Sequence, residues 1–346
     1  MIAWYRRLWN GDDSHERALR AVSLALMPAE WLYRMVIGLR TVAYDRSWMR
    51  SESGSIPTLA IGNLTVGGTG KTPVSAWFAS ALRERGSRPA VVMRGYGADE
   101  IEVHQHLNPM LPVFASPDRV AGVLWAHQEG ADAVVLDDAF QHRSLRADGY
   151  VVLIAAEEWT DHPRLLPRGP WREPLAALGR ATLIAVTRKS ESAAGAARVV
   201  ARLSQRHPNI PVAQLELRLR GLSVFDAASG LGTTENANGF SCAVAVAGVA
   251  RPQAVWFQLE ASGVKIDSRK AFPDHHRYSQ QDIEEIVRLA RGGPVVATLK
   301  DAVKLSPALG ERVELLVPIQ EVVWESGMDD VTDLLARIDA RRKAEA

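Results

Sequence analysis

Residues 62–73, Gly62-Asn63-Leu64-Thr65-Val66-Gly67-Gly68-Thr69-Gly70-Lys71-Thr72-Pro73, constrain the fold more than any other stretch of the chain. An apolar run, Thr58 to Ile61, enters this glycine-dense turn, and an apolar segment of helical character, Val74 to Leu82, leaves it. Strand, glycine loop, Lys-Thr and helix form the arrangement that cradles nucleotide phosphates. Glycines let backbone N–H groups converge on an anion, and the helix N-terminus adds partial positive charge. The predicted nucleotide site is Thr65 together with Gly67, Gly68, Thr69, Gly70, Lys71 and Thr72. Lys71 has the reach for the outer phosphates, and the Thr72 hydroxyl is a ligand for Mg2+. One position departs from the G-x-x-x-x-G-K-[ST] pattern, because Thr65 stands where the first glycine belongs. A glycine turn without a ligand is the bland alternative, and the strand before and helix after weigh against it.

At 346 residues, 47% hydrophobic and 23% charged, the chain has globular composition and room for two compact domains or one large one. A net charge of +1 gives no reason to expect nucleic acid as a partner, and no obligate protein partner is evident. The single Cys242 excludes an internal disulfide and any multi-cysteine metal site. It lies in the apolar run to Ala247 and reads as a buried strand residue, with a reducing, cytosol-facing location as the default. Trp4, Tyr5, Trp9, Trp31, Tyr33 and Trp48 crowd the first fifty residues among eight arginines, from Arg6 to Arg50. The apolar stretch from Ala18 to Leu39 is interrupted by Arg20, Pro28, Glu30 and Arg34, so it falls short of a bilayer span. Aromatic and arginine residues flanking such a segment fit either a membrane interface or a helix packed on the globular body.

Short unalternating apolar runs follow at Thr58–Ile61, Pro89–Met93, Ala133–Leu136, Tyr150–Ala155 and Thr182–Thr187. They read as strands of a parallel sheet buried on both faces, with helices near 74–85, 118–129 and 190–207 between them. The expected fold is α/β: a P-loop NTPase-like parallel sheet flanked by helices, with ligands at the carboxyl ends of the strands. The alternating segment Val212 to Leu219 reads as a half-exposed strand, and the polar, glycine-bearing stretch 229–239 marks a domain boundary. Beyond it lies a smaller α/β lobe, with strands at 243–249, 264–266 and 295–298 and a helix over 279–291. The expected division is 1–50 for the N-terminal helices, 51–220 for the P-loop domain and 221–346 for the smaller C-terminal domain. The basic end, Arg341 to Lys343, reads as a frayed helix.

Four further segments carry chemistry. Leu136-Asp137-Asp138 ends a buried strand in two carboxylates, a location at which an aspartate of a P-loop fold holds Mg2+. Adjacent carboxylates repel, so a cation or basic partner must compensate; the competing reading is a turn that caps the next helix. Asp274-His275-His276 places an imidazole beside a carboxylate, suited to acid–base work or to phosphate contact, or else is plain surface loop. Leu165 to Pro174 is a rigid path bearing Arg168, Arg172 and Glu173, whose arginines either bind phosphate or solvate the loop. Lys300-Asp301 after a strand has the chemistry to bracket a purine.

Together these segments, with Arg94-Gly95-Tyr96-Gly97 and Asp137-Asp138-Ala139-Phe140-Gln141-His142, resemble the tetraacyldisaccharide 4'-kinase family of lipid A biosynthesis. The motifs occur in family order over about residues 20 to 305, and the string Asn63 to Pro73 matches the family's own loop, which also lacks the first glycine. The resemblance implies an ATP- and Mg2+-dependent enzyme at the cytoplasmic face of the bacterial inner membrane, peripheral or monotopic. It implies transfer of the γ-phosphoryl of ATP to the 4'-hydroxyl of an acylated glucosamine disaccharide 1-phosphate held in the membrane, giving lipid IVA. By the same carry-over Thr72, Asp137, Asp138 and Glu173 serve the metal, and Lys300 and Asp301 the nucleotide. His275 and Asp99 are implied as the catalytic pair, with Asp138 at the reaction centre. Three departures stand out: Asp99 follows Gly97 after one residue, Ala139 replaces a glycine, and Leu299 replaces a common glutamate. The competing functions are a P-loop GTPase or ATPase switch of metallochaperone type, reading a base through Thr187-Arg188-Lys189 or Lys300-Asp301, and a non-catalytic membrane-associated nucleotide-binding protein.

Overall fold

The computed structural model describes residues 16–95, 98–226 and 228–345, with the backbone alone for 16–20, 98–99, 311 and 345. Trp4, Tyr5 and Trp9 lie outside the described residues, as does the side chain of Asp99. Two helices open the chain, α1 (Glu16–Ala25) and α2 (Met27–Asp45). A short strand β1 (Glu52–Ser53) precedes the phosphate-loop unit, β2 (Thr58–Asn63) and α3 (Lys71–Glu84). Then follow β3 (Pro89–Met93), α4 (Ala98–Leu107), β4 (Val113–Ala115), α5 (Arg119–Gln128), β5 (Ala133–Leu136), β6 (Leu145–Arg146), β7 (Gly149–Ala155), β8 (Leu183–Arg188) and α6 (Ala193–Arg206). The second half comprises β9 (Val212–Asp226), β10 (Gly230–Glu235), β11 (Ser241–Ala247), α7 (Pro252–Ala261), β12 (Lys265–Ala271), α8 (Gln280–Ala290), β13 (Val295–Ala297), α9 (Leu299–Leu309), β14 (Leu315–Ser326) and α10 (Met328–Glu345).

Twelve strands form one continuous sheet in the order β12-β11-β13-β14-β9-β8-β7-β2-β5-β3-β4, with β10 added along β9. The first half is parallel throughout, as its unbroken apolar strands require: β2, β3 and β5 are buried at every position. The two halves meet at an antiparallel pair, β9 with β14, that runs the length of both strands. The strand predicted over 212–219 therefore continues to Asp226, because Leu222 and Phe225 carry buried positions into the second half. Within the stretch read as the domain boundary, 229–239, residues Gly230–Glu235 fold back as β10 on β9, and the expected 220/221 division falls inside β9.

The last helix corrects the expectation of a frayed end. Val331, Leu334, Leu335 and Ile338 of α10 are buried in the same core as Leu59, Phe78 and Leu153 of the phosphate-loop half. Arg341 and Arg342 pair with Asp148 and Asp132, so their charges anchor the helix to that half. Cys242 is fully buried on β11, where desolvation pushes its thiol up to about 11.

Helix α2 docks by polar contacts and leaves its apolar side uncovered. Buried Glu30 accepts from the Leu165 amide and from Arg168, at 2.9 and 3.1 Å. The Tyr33 hydroxyl donates to the Arg172 carbonyl and Arg40 to the Gln141 carbonyl. Trp31, Met35 and Leu39, four residues apart, are 68%, 56% and 63% exposed. Among the described residues no helix is long and apolar enough to cross a membrane.

Candidate active site

The loop after β2 is built around Asn63. Its buried amide donates to the Thr69 and Thr65 hydroxyls, and its carbonyl accepts from Lys71 Nζ at 3.2 Å. Thr65 pairs with Trp171 as a β-bridge, with Val66 N donating to Pro170 O and Arg172 N to Leu64 O. The first half of the loop is thus a strand edge against 170–172, where a residue with Cβ serves and glycine is not needed. The left-handed conformation falls on Gly70 instead, at φ 90, where an added Cβ would lie 2.1 Å from Leu217 Cδ1. From below, Thr187 donates to Thr69 O and Lys189 Nζ to Gly68 O at 2.8 Å. These two residues brace the glycine loop.

The two carboxylates after β5 face different partners. Asp137 is buried, its Oδ1 accepting from Ser75 at 3.1 Å and its Oδ2 from Thr72 and His104 at 3.2 and 2.9 Å. Burial acts to raise its pKa, yet the His104 contact, Lys71 and Ser75 outweigh it and hold the carboxyl below its ordinary value. Asp138 is more open and pairs with Arg172 at 3.2 Å and Lys71 at 3.7 Å. It takes the left-handed position of the turn, φ 51, which Asp tolerates better than most residues. Ala139 is not among the positive-φ residues, so its methyl meets no backbone conflict.

Across the cleft, His275 sits at φ 58 on the loop after β12. Lys300 Nζ lies 2.9 Å from His275 Nε2 and 3.9 Å from Glu100. An ammonium only donates, so Nε2 is the acceptor in this contact. Glu158 and Arg251, 3.2 Å apart, form a further link between the halves. A cleft of about 810 Å³ is lined by Gly67 to Thr72, Asp137, Asp138, Arg172, His275 and Lys300 from both halves.

Three of the described predicted site residues do not line it: Thr65, which is buried in the strand edge against Trp171, Glu173 and Asp301. Glu173 is buried, its oxygens taken by Gln141 at 3.1 Å and Arg180 at 2.7 Å, so its charge is already neutralised beside the loop. Asp301 is fully buried and accepts from Gly248 N, Thr298 Oγ and Tyr278 Oη, which ties the start of α9 to β11 and leaves no oxygen for a purine. Conversely, His104, Glu100, Asn63, Lys189 and His142 belong to the site or support it and were absent from the predicted set. Asn63 was readable from its place in the loop string. His104 and Glu100 were not, because α4 has no clear apolar periodicity and was not predicted as a helix.

Lysine and threonine at a glycine-loop helix, with a strand-end aspartate bonded to that threonine, define a P-loop phosphotransfer enzyme site. Comparison with known proteins narrows the class. The family model for tetraacyldisaccharide-1-P 4'-kinase matches residues 22–108 and 99–338. The tetraacyldisaccharide 4'-kinase of Halorhodospira halophila is 34% identical over 298 residues, 81% of this chain and 83% of that protein. Its counterpart from Anaeromyxobacter sp. (strain Fw109-5) is 35% identical over 328 residues, 87% of each chain. A crystal structure of LpxK from Aquifex aeolicus in complex with ATP superposes with a TM-score of 0.72 at 25% identity, covering 92% of this chain and 99% of that one. The chain belongs to the tetraacyldisaccharide-1-P 4'-kinase family.

Proposed function

We propose that the chain transfers the γ-phosphoryl group of ATP to the 4'-hydroxyl of a tetraacylated glucosamine disaccharide 1-phosphate, giving lipid IVA in lipid A biosynthesis. The observation that carries this reading is one cleft with Lys71, Thr72, Asp137, Asp138 and Arg172 on one wall and His275 with Lys300 on the other. Phosphoryl transfer passes through a loose transition state that needs charge neutralisation and alignment more than covalent help. Lys71 and the loop amides, with Gly70 opening α3, meet the phosphates. Arg172, held by Asp138 in this state, supplies a second cation to the transferred group. His275 with Asp99 takes the acid–base role toward the sugar hydroxyl, and Lys300 holds the imidazole in place until the acceptor enters.

The residues present fit Mg2+. Thr72 offers a hydroxyl oxygen already bonded to an ionised carboxylate, Asp137, with Asp138 beside it. Among the described residues no cluster of three or more His, Cys, Asp or Glu is arranged to cage a metal, and Mg2+ needs none, since it keeps several waters and is bound through one or two carboxylates and the phosphates. When bound it neutralises charge between the β- and γ-phosphates. Thr72 and Asp137 would hold it, with Asp138 beside them, while Glu173 bonds Gln141.

The acceptor stays in the bilayer, so the enzyme works at the cytoplasmic face of the inner membrane. The uncovered face of α2, bearing Trp31, Met35 and Leu39, enters the interface there. The test is phosphoryl transfer from labelled ATP with and without tetraacyldisaccharide 1-phosphate. Lipid-dependent consumption of ATP is expected, and rapid GTP hydrolysis without lipid overturns the reading.

A further inference from the structure

Helix α4 touches both walls of the cleft. Glu100, in its first turn, lies 3.9 Å from Lys300, and His104, one turn on, bonds Asp137. Residues four apart share one face of a helix, so a single rigid element faces His275's neighbour at one end and the aspartate at the other. His104 is 1% exposed, and its Nδ1 has no hydrogen-bond partner among the described residues. An imidazole with one unsatisfied buried nitrogen is a poor choice for mere filling, which a leucine would do without that cost.

We propose that His104 is a positioning residue for the metal side of the site: by donating from Nε2 to Asp137 Oδ2 it holds the carboxylate against the Thr72 hydroxyl. An ionised carboxylate only accepts, so the bond assigns a hydrogen to Nε2. With Ser75 on Oδ1, Asp137 is gripped from two directions and cannot rotate away from Thr72. Without His104, Oδ2 keeps only the Thr72 hydroxyl of its two donors, and the carboxylate is freer to turn. Partners behind a metal ligand typically change metal affinity 10- to 100-fold.

The proposal rests on the reading of Thr72 and Asp137 as the metal side, and the experiment separates the two. Mn2+ binding in the presence of a non-hydrolysable ATP analogue is measured on the full chain by electron paramagnetic resonance, for wild type, His104→Leu, His104→Gln and Asp137→Asn. Roughly tenfold weaker Mn2+ binding is expected for His104→Leu, with His104→Gln, which restores a donor near Nε2, within about threefold of wild type. In turnover, His104→Leu raises the half-saturating Mg2+ concentration while kcat at saturating Mg2+ falls by less than about threefold. Unchanged Mn2+ affinity in His104→Leu, or a Gln variant as impaired as Leu, overturns the role of His104. Unchanged affinity in Asp137→Asn overturns the metal reading itself. A measurement on the unmutated protein covers the case of a variant that does not fold. The 15N signal of His104 Nε2 should shift when Mg2+ and the nucleotide analogue are added, and a signal that stays put counts against the proposal.

Discussion

The two walls of the cleft are built differently. On the phosphate-loop wall, Asn63 joins Thr65, Thr69 and Lys71, and Asp137 joins Thr72, Ser75 and His104, all in buried or half-buried surroundings. On the opposite wall, His275 is held among the described residues by its contact with Lys300, and it sits at positive φ on a loop. The first wall has its dipoles and charges placed before any ligand arrives, which is where electrostatic stabilisation of transferred charge is strongest. The second wall presents an imidazole held by one lysine, so it is the more lightly tethered of the two.

That contrast can be broken first at its strong side. Lys71→Ala removes the cation that the proposed function assigns to the phosphates, and kcat is expected to fall by about 10²–10³ in the lipid kinase assay. His275→Ala comes next. It should lower kcat by about 10² while nucleotide affinity, measured by calorimetry, stays within twofold of wild type. Equal loss of nucleotide binding in both variants would dissolve the distinction between the walls. Replacing Trp31 and Leu39 together by Ser removes exposed apolar area worth about 1.5–3 kcal/mol per side chain when buried. Sedimentation with vesicles should drop at least tenfold, with little change in turnover of a detergent-dispersed acceptor.

His142, in the cleft, sharpens the comparison through pH. Burial, then the charges of Arg119 and Arg94, push its imidazole down to about 4 from 6.5. The folded chain keeps the ring neutral while the unfolded chain takes up a proton. This contribution to stability is therefore complete above pH 6.5 and is lost as pH falls from 6.5 toward 4. Urea unfolding of His142→Gln at pH 7.5 and 5.0 should show a smaller loss on acidification than wild type. The smallest effect is expected at the link between walls. Arg251→Ala removes the solvent-exposed member of its pair with Glu158, which is itself nearly buried; a pair open to water on one side contributes about 1 kcal/mol, so KM for ATP should rise less than about fivefold.

Legibility in the sequence followed the range of each interaction. The loop from Asn63 to Thr72 and the paired aspartates were readable because strand, turn and helix succeed one another within a few residues. Lys189 was visible, but its place under Gly68 was not, because 121 residues separate them. Glu173 and Asp301 carried the right chemistry and still do not line the cleft. Their oxygens are taken by Arg180 and Gln141 in one case and by Gly248, Thr298 and Tyr278 in the other. Residue type shows what a carboxylate can bind, whereas burial and prior partners decide whether it is available.

From its sequence alone this protein is an α/β chain with a phosphate-binding loop, a strand-end aspartate pair and a kinase family's order of motifs, since local periodicity and turn chemistry specify these. Tertiary structure alone decided that the two halves share one sheet through β9 and β14, and that α10 returns to the first core. It also decided that α4 sets His104 against Asp137 and Glu100 toward Lys300. Those outcomes depend on contacts between residues tens to hundreds of positions apart, which are settled by packing and by the satisfaction of buried polar groups rather than by any local pattern.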